Sequence, residues 1–462
     1  MNEYKLYQVK KVASFIDFIN EIEKYGEAVA FKEANRDYTY FQFCDDVRRI
    51  ASYMSCHHGS YIQIDISNSR MFAVVFFATI ISGNIVVLLD DTEISEMGLP
   101  ENCVKIREDV FDFVHKHEFF DDSKIPMTRV SVIAGSSGTT GHKKGVMLSQ
   151  RNLLTDMVGG MELYEYERGA VYVNILPYTH LFGIVADLLG PLYSGGTICV
   201  LENKLRFFEE LRYYKPTNLN LPPILVDAIY NMLKKTKDFE NTTGGKLKKI
   251  LCAGARLNDA VNDEFEYYGL RAFSAYGLTE CSPCVTMNRD KYFKKGSVGL
   301  PLSCCAVSIE DGEVVVEGSN VMLGYYNEYK TTENTIINNR IYTGDLGYID
   351  DDGFLFLIGR KNNLIVFEDG TKLIPELIEK KLNQVASVME SLVEPIMLDN
   401  RTKIRITVVC EKHIYRQNIF DCLEQLDVLA KVEEIIFRED ELEKNVLGKI
   451  IRNKKLPVYF KE

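Results

Sequence analysis

The sequence predicts an α/β protein: a large N-terminal domain of mostly parallel sheets with a small antiparallel β unit, followed by a small α+β C-terminal domain. Three observations carry this. From roughly residue 38 to residue 300, short apolar runs alternate with helical patterns, the order of a parallel sheet with crossover helices. From about 296 to 358 the texture turns to short strands separated by Gly, Asp and Asn. Beyond that, helical patterns near 375–384 and 415–428 flank an apolar run near 403–410. The charged, polar stretch Gly359–Asn363 separates two apolar runs and sets the expected boundary, giving domains 1–360 and 361–462.

The elements follow in order. Strands are predicted at Tyr61–Ile66, Ile85–Leu89, Val130–Ala134, Val171–Leu176, Thr197–Leu201, Leu219–Leu221 and Lys249–Ala253. Met71 to Leu89 carries no charge and is long enough to raise the question of a membrane helix. Ser82-Gly83-Asn84 interrupts it, so a buried helix, a tight turn and a parallel strand are expected instead, and no membrane span. Val146-Met147-Leu148 reads as a strand, with Ser149 capping a helix that starts at Gln150. Asp311-Gly312 and Asp351-Asp352-Gly353 mark turns of the antiparallel unit.

Composition narrows the function classes. The formal net charge of −12 argues against a nucleic-acid partner. Met1 to Tyr7 is polar and charged rather than a secretory signal, and an odd count of 11 cysteines fits free thiols, so a cytoplasmic location is expected. Cys281-Ser-Pro-Cys284 is a lone CxxC without a second pair, which is weak evidence for a metal.

Chemistry concentrates in a few segments. Residues 133–145 place four glycines, four hydroxyls and two lysines between apolar runs. Bare backbone N–H groups and hydroxyls in such a loop suit a polyphosphate. It is not a Walker A loop, because Gly138 and Gly141 are too close and Lys144 leads into a strand. Ser274-Ala275-Tyr276-Gly277-Leu278-Thr279-Glu280 offers a flat ring for a purine, with a hydroxyl and a carboxylate for a phosphate oxygen and a hard cation. Thr343-Gly344-Asp345 puts a carboxylate after a turn, where it can take ribose hydroxyls, and Arg360 follows Gly359. Taken alone, these are also an ordinary strand end, a hairpin turn and a surface arginine. Leu447-Gly448-Lys449-Ile450-Ile451-Arg452 is, alone, a surface cation near a chain end.

Together these segments resemble the adenylate-forming (AMP-binding) superfamily, in its acyl-CoA synthetase or acyl-activating branch. Ser136, Ser137, Gly138, Thr139, Thr140, Gly141, Lys144 and Gly145 follow the family's phosphate loop, with Lys143 where Pro is usual. Tyr276-Gly277-Leu278-Thr279-Glu280, Thr343-Gly344-Asp345, Gly359-Arg360 and Gly448-Lys449 follow in the family's order, although Glu443 and Asn445 replace a usual Pro and Thr before Lys449. Leu176-Pro177-Tyr178-Thr179-His180-Leu181-Phe182-Gly183 resembles the motif of acyl- and aryl-activating members, and Ala253-Gly254-Ala255 the acyl-pocket strand end. Gly359–Glu379 resembles the family's hinge and hairpin, with Asn362 at the hinge and Gly370 and Lys372 at the hairpin.

The resemblance implies ATP, Mg2+ and CoA, or a carrier-protein phosphopantetheine, as cofactors and a small-molecule carboxylic acid as substrate, with a fatty acid weakly preferred. It implies that Ser136, Ser137, Gly138, Thr139, Thr140 and Lys144 hold phosphates, and that Ser274, Ala275, Tyr276 and Gly277 form the adenine site. It further implies that Thr279 serves phosphate, Glu280 binds Mg2+, Asp345 and Arg360 hold ribose, and Lys449, Glu280 and His180 are catalytic. His180, Ala253, Gly254 and Ala255 would line the acyl pocket. The C-terminal domain would be mobile, turning at Asn362 to exchange Lys449 for the Gly370 hairpin. The Asp of the amino-acid-activating members has no counterpart nearer than Asp187, which favours an acid without an α-amine. Two rivals stand beside this reading: a ligase that loads an acyl carrier protein through the basic Lys449–Lys455 region, and a catalytically inactive nucleotide-binding homologue.

Overall fold

The computed structural model describes residues 7–33, 36–100, 103–108, 129–136, 143–201, 203–255, 257–258, 260–398, 401–410, 416–444 and 450–452. The chain divides into two compact units. The first comprises Met1–Val307, Val316–Ile341 and Asp351–Leu355; the second comprises Ser308–Val315, Tyr342–Asp350 and Phe356–Glu462.

The first unit contains two large sheets. One has nine strands in the order Leu300–Pro301, Cys284–Met287, Arg271–Gly277, Lys249–Cys252, Asn218–Leu221, Val171–Asn174, Thr197–Val200, Val29–Glu33, Arg36–Thr39. Its central pairs are parallel, as expected, and antiparallel strands close both edges. The other has six strands in the order Gly324–Tyr325, Gly145–Ser149, Val130–Gly135, Ile85–Leu88, Tyr61–Ile64, Val104–Ile106.

The uncharged Met71–Leu89 stretch folds as its punctuation predicts. Ser69 caps a helix over Arg70–Ile81 by accepting from the Phe72 N–H. Gly83 turns the chain at φ 77°, and Ile85–Leu88 pairs in parallel with strands on both sides. The helix is buried on nearly every face, which explains its all-round apolarity. Among the described residues no helix is long and apolar enough to cross a membrane. Ser149 and Asn152 form a reciprocal cap at the start of Gln150–Leu163.

A five-stranded sheet follows the order Cys305–Glu310, Glu313–Gly318, Arg340–Ile349, Ile336–Ile337, with Leu355–Arg360 also paired to Arg340–Ile349. Asp311 and Gly312 both take positive φ, 48° and 80°, as a two-residue hairpin turn requires. In the second unit, Val388–Leu398, Arg401–Cys410 and Val432–Arg438 form a three-stranded sheet. Helices Pro375–Leu382 and Arg416–Gln425 pack their Ile378, Leu382, Ile419 and Leu423 into one core with Ile404, Ile406 and Val408 of that sheet.

Candidate active site

Within the first unit, the chemistry-bearing segments stand at strand ends. Strands Val130–Gly135 and Gly145–Ser149 pair up to Gly135 opposite Gly145. The Ser136 N–H donates to the Lys144 carbonyl at 2.8 Å, and the Lys144 N–H donates to Ser136 Oγ at 3.0 Å. These two bonds close the mouth of the loop. Ser136 Oγ thus serves as a clamp. Ser137, Gly138, Thr139 and Thr140 lie outside the described residues.

Strand Arg271–Gly277 carries Ser274, Ala275 and Tyr276 to its carboxyl end, beside the end of Lys249–Cys252 that leads into Ala253, Gly254 and Ala255. Carboxyl ends of neighbouring parallel strands are where ligands bind in α/β sheets. Tyr276 is 8 % exposed. A Cβ on Gly277 would stand 1.8 Å from the Pro283 carbonyl oxygen, so only glycine allows the return strand this close. Thr279 and Glu280 then sit in a short 3-10 turn, Thr279–Cys281.

Glu280 has a partner that the motifs do not reveal. The Tyr325 hydroxyl donates to Glu280 Oε1 at 2.7 Å, and the Lys144 ammonium lies 4.9 Å from the centre of the Tyr325 ring. The Lys144 ammonium and the Glu280 carboxylate, remote in sequence, are therefore joined through one phenol. Gly324-Tyr325 lies in the stretch of short strands and turns and belongs to none of the chemical motifs. No local pattern could reveal it, because the contact depends on pairing Tyr325 against Val146 at a sheet edge.

His180 follows the carboxyl end of Val171–Asn174 and is partly buried. The chain then winds into a π-helical stretch, Gly183–Leu189, a geometry frequent at functional sites. A Cβ on Gly183 would stand 2.3 Å from the Pro177 carbonyl oxygen, which explains the glycine that ends this motif. Phe182 and Ala186 of this segment share a cluster with Ala253 and Ala275, so the two segments expected at the acyl site meet beside the strand expected at the adenine site.

Asp187 is 1 % exposed. Its Oδ2 accepts from the backbone N–H groups of Ile175 and Leu176 and from Asn174 Nδ2, at 3.1–3.2 Å, and its Oδ1 accepts from Asn220 Nδ2 at 2.8 Å. The carboxylate is a structural hub for the loop preceding His180. Burial pushes its carboxyl up from 3.8 to about 6, with the Asn220 amide and the other donors opposing. An acid whose pKa rises on folding binds more protons folded than unfolded between those values, so stability falls as pH rises from 3.8 to about 6. Asp187→Asn is expected to flatten this part of the urea stability–pH curve; an unchanged slope would contradict the assignment.

The remaining expected residues lie in the second unit. Asp345 is 6 % exposed, and its Oδ1 meets Arg360 Nε at 2.7 Å. Gly344 turns at φ 73°, and its N–H donates to Glu313 Oε1 at 2.8 Å, which fixes the turn before Asp345. Asn362 is exposed in a short 3-10 turn, Lys361–Asn363. Ile365–Val366 pairs with Lys372–Leu373, and Gly370 turns the intervening loop at φ 80° in open space, forming the expected hairpin.

Lys449 lies outside the described residues, but both flanks of its segment are fixed. Lys444 bridges Ile450, the Ile451 N–H donates to the Glu443 carbonyl at 2.8 Å, and Arg452 meets Glu379 at 2.6 Å. Burial pushes the Glu379 carboxyl up, and the Arg452 charge opposes it.

Residues 99–326 match the family model described as AMP-binding enzyme. A 4-coumarate–CoA ligase-like protein of Arabidopsis thaliana is 30 % identical over 343 residues, covering 69 % of this chain and 61 % of the relative. A long-chain-fatty-acid–CoA ligase of Bacillus subtilis is 28 % identical over 362 residues, covering 72 % of this chain and 62 % of the relative. The chain thus spans less than two thirds of the length of these relatives. The o-succinylbenzoate CoA synthetase (MenE) of Bacillus subtilis, solved with its acyl-adenylate intermediate, superposes with a TM-score of 0.80 at 20 % identity, covering 95 % of this chain and 97 % of that one. ATP-bound MatB of Rhodopseudomonas palustris gives 0.81 at 20 % identity, covering 94 % and 97 %. These two likenesses establish the fold. On the match over residues 99–326, the chain carries the AMP-binding enzyme domain of the adenylate-forming superfamily, in the company of CoA-ligase relatives.

Proposed function

We propose that this protein is an ATP-dependent acid–thiol ligase. It activates a carboxylic acid, with a fatty acid preferred, as an acyl-adenylate with release of pyrophosphate, then passes the acyl group to the thiol of CoA. The observation that carries the reading is the junction of Lys144 and Glu280 through Tyr325, which puts a cation from the mouth of the glycine- and hydroxyl-rich loop and a carboxylate against one phenol. The fatty-acid and coumarate ligases among the relatives support it.

Glu280 fits Mg2+. One of its oxygens holds Tyr325, the other carries no hydrogen bond among the described residues, and Mg2+ usually takes one or two carboxylates with phosphate oxygens rather than an all-protein cage. No described cluster of three or more His, Cys, Asp or Glu offers such a cage. When bound, the ion would neutralise phosphate charge.

In this reading Ser136, Ser137, Gly138, Thr139, Thr140 and Lys144 cradle the phosphates. Ser274, Ala275, Tyr276 and Gly277 form the adenine site and Thr279 serves a phosphate oxygen. Asp345 and Arg360 take the ribose. Lys449 stabilises charge at the α-phosphate in the adenylation transition state. His180, Ala253, Gly254 and Ala255 line the acyl pocket. Asp187, engaged by four donors within the fold, is not available to an ammonium, which supports an acid without an α-amine. We assign residues 1–360 to ATP and acid binding, residues 361–462 to a mobile catalytic domain, and the protein to the cytoplasm.

Trapping the acyl-adenylate by mass spectrometry after incubation with Mg·ATP and a fatty acid tests the chemistry; its absence with every acid tried would overturn the reading. Asn362 is assigned as the hinge of a two-step cycle that brings Gly370 and Lys372 forward in place of Lys449. Asn362→Pro is therefore expected to leave adenylate formation intact and to stall thioester formation. An unchanged thioester yield would remove the hinge role.

A further inference from the structure

Tyr325 belongs to none of the motifs through which the sequence announces its chemistry, yet it touches two of them. Its side chain is 5 % exposed. A buried phenol needs a partner, and this one donates to Glu280 Oε1 at 2.7 Å. Its ring face meets the Lys144 ammonium at 4.9 Å, within range of a cation–π contact.

The backbone around it is held as firmly as the ring. Tyr325 pairs with Val146, two residues after Lys144. Its N–H donates to Thr332 Oγ1 at 2.9 Å, and Thr332 Oγ1 in turn donates to the Glu328 carbonyl at 2.9 Å. Gly324, at φ 137°, leaves room for that threonine: a Cβ there would stand 2.8 Å from Thr332 Cγ2. A tyrosine needed only to fill space could be replaced by phenylalanine at no cost to either neighbour. Here the hydroxyl orients one oxygen of Glu280 and leaves the other without a hydrogen bond among the described residues, while the ring seats the loop lysine.

We propose that Tyr325 is a positioning residue that sets Glu280 for the metal ion through its hydroxyl and Lys144 for the nucleotide phosphates through its ring. The inference rests on the proposed ATP-dependent reading of this site and adds to it a separation of two effects within one side chain.

The test uses the full chain and calorimetric ATP binding, with Mg2+ titrated or chelated, so that no acid substrate need be known. Tyr325→Phe removes only the hydroxyl. It is expected to raise the Mg2+ concentration needed for half-maximal metal-dependent tightening of ATP binding by about tenfold, the value of one hydrogen bond to a charged group. Metal-free ATP binding stays unchanged in this variant. Tyr325→Leu removes the ring as well and is expected to weaken metal-free ATP binding too. In a Glu280→Gln background, Tyr325→Phe should add no further shift in Mg2+ dependence, a non-additivity that a merely structural role would not produce. Wild-type Mg2+ dependence in Tyr325→Phe, or additive losses with Glu280→Gln, would overturn the proposal. Absence of ATP binding by the wild-type protein would instead overturn the functional reading on which it stands.

Discussion

Lys449→Ala is expected to lower acyl-adenylate formation by about 10²–10³-fold, the usual cost of removing one preorganised charge stabiliser from a transition state. Negative charge accumulates on the α-phosphoryl group as the carboxylate attacks, and a lysine ammonium at that point opposes it. The second half-reaction has no such demand, because AMP is already the leaving group. Thioester formation from a synthetic acyl-adenylate should therefore proceed at close to the wild-type rate. The fold should survive, since the segment is held from both sides by the Lys444–Ile450 bridge and the Arg452–Glu379 ion pair. Pyrophosphate release and thioester yield, measured separately, check the two halves. Equal pyrophosphate release from variant and wild type would remove Lys449 from the chemistry.

Gly277→Ala is expected to be as damaging for a different reason. The added methyl would stand 1.8 Å from the Pro283 carbonyl oxygen and 2.8 Å from its carbon, and both are backbone. No rotamer change relieves such a contact, so the Arg271–Gly277 strand and its antiparallel neighbour Cys284–Met287 must separate. Overpacking of this kind costs roughly 3 kcal/mol or more. The strand end that moves carries Tyr276, so ATP binding should fall with stability. Gly370→Ala is the control: its Cβ meets nothing within 4 Å, and only the φ of 80° opposes the change, at a cost of about 1 kcal/mol. Urea unfolding and ATP calorimetry on the two variants check the contrast. Comparable stability of the two would show that the close approach at Gly277 does not matter.

Much of the fold was legible because buried parallel strands are written as short apolar runs. Val171–Asn174, Thr197–Val200 and Lys249–Cys252 each lie inside a run that marks them. Strand Val388–Leu398 was not legible. It is an edge strand that includes Glu390, Glu394 and Pro395, and an edge strand tolerates proline and charge that an interior one rejects. Strands Val29–Glu33 and Arg36–Thr39 were missed because they close the far edge of a sheet whose other members lie more than a hundred residues onward.

The site divides in the same way. A residue whose role depends on local backbone could be read directly, as the cap at Ser149 was. Tyr325 and Asp187 could not, because each acts across the fold. Tyr325 reaches Glu280 and Lys144 through a two-residue strand with no periodicity of its own. Asp187 looks in sequence like a free carboxylate seven positions beyond His180, and only the folded chain shows its oxygens taken by Asn174, Asn220 and two backbone N–H groups.

The central claim is that the protein activates a carboxylic acid at the expense of ATP. The most direct test is pyrophosphate release from Mg·ATP across acids from acetate through long-chain fatty acids to aryl acids and amino acids, with and without CoA. The account predicts release with one class of acid lacking an α-amine, and acyl-CoA only when CoA is present. Release without any CoA thioester would assign the acceptor to a carrier protein, and no release with any acid would contradict the account.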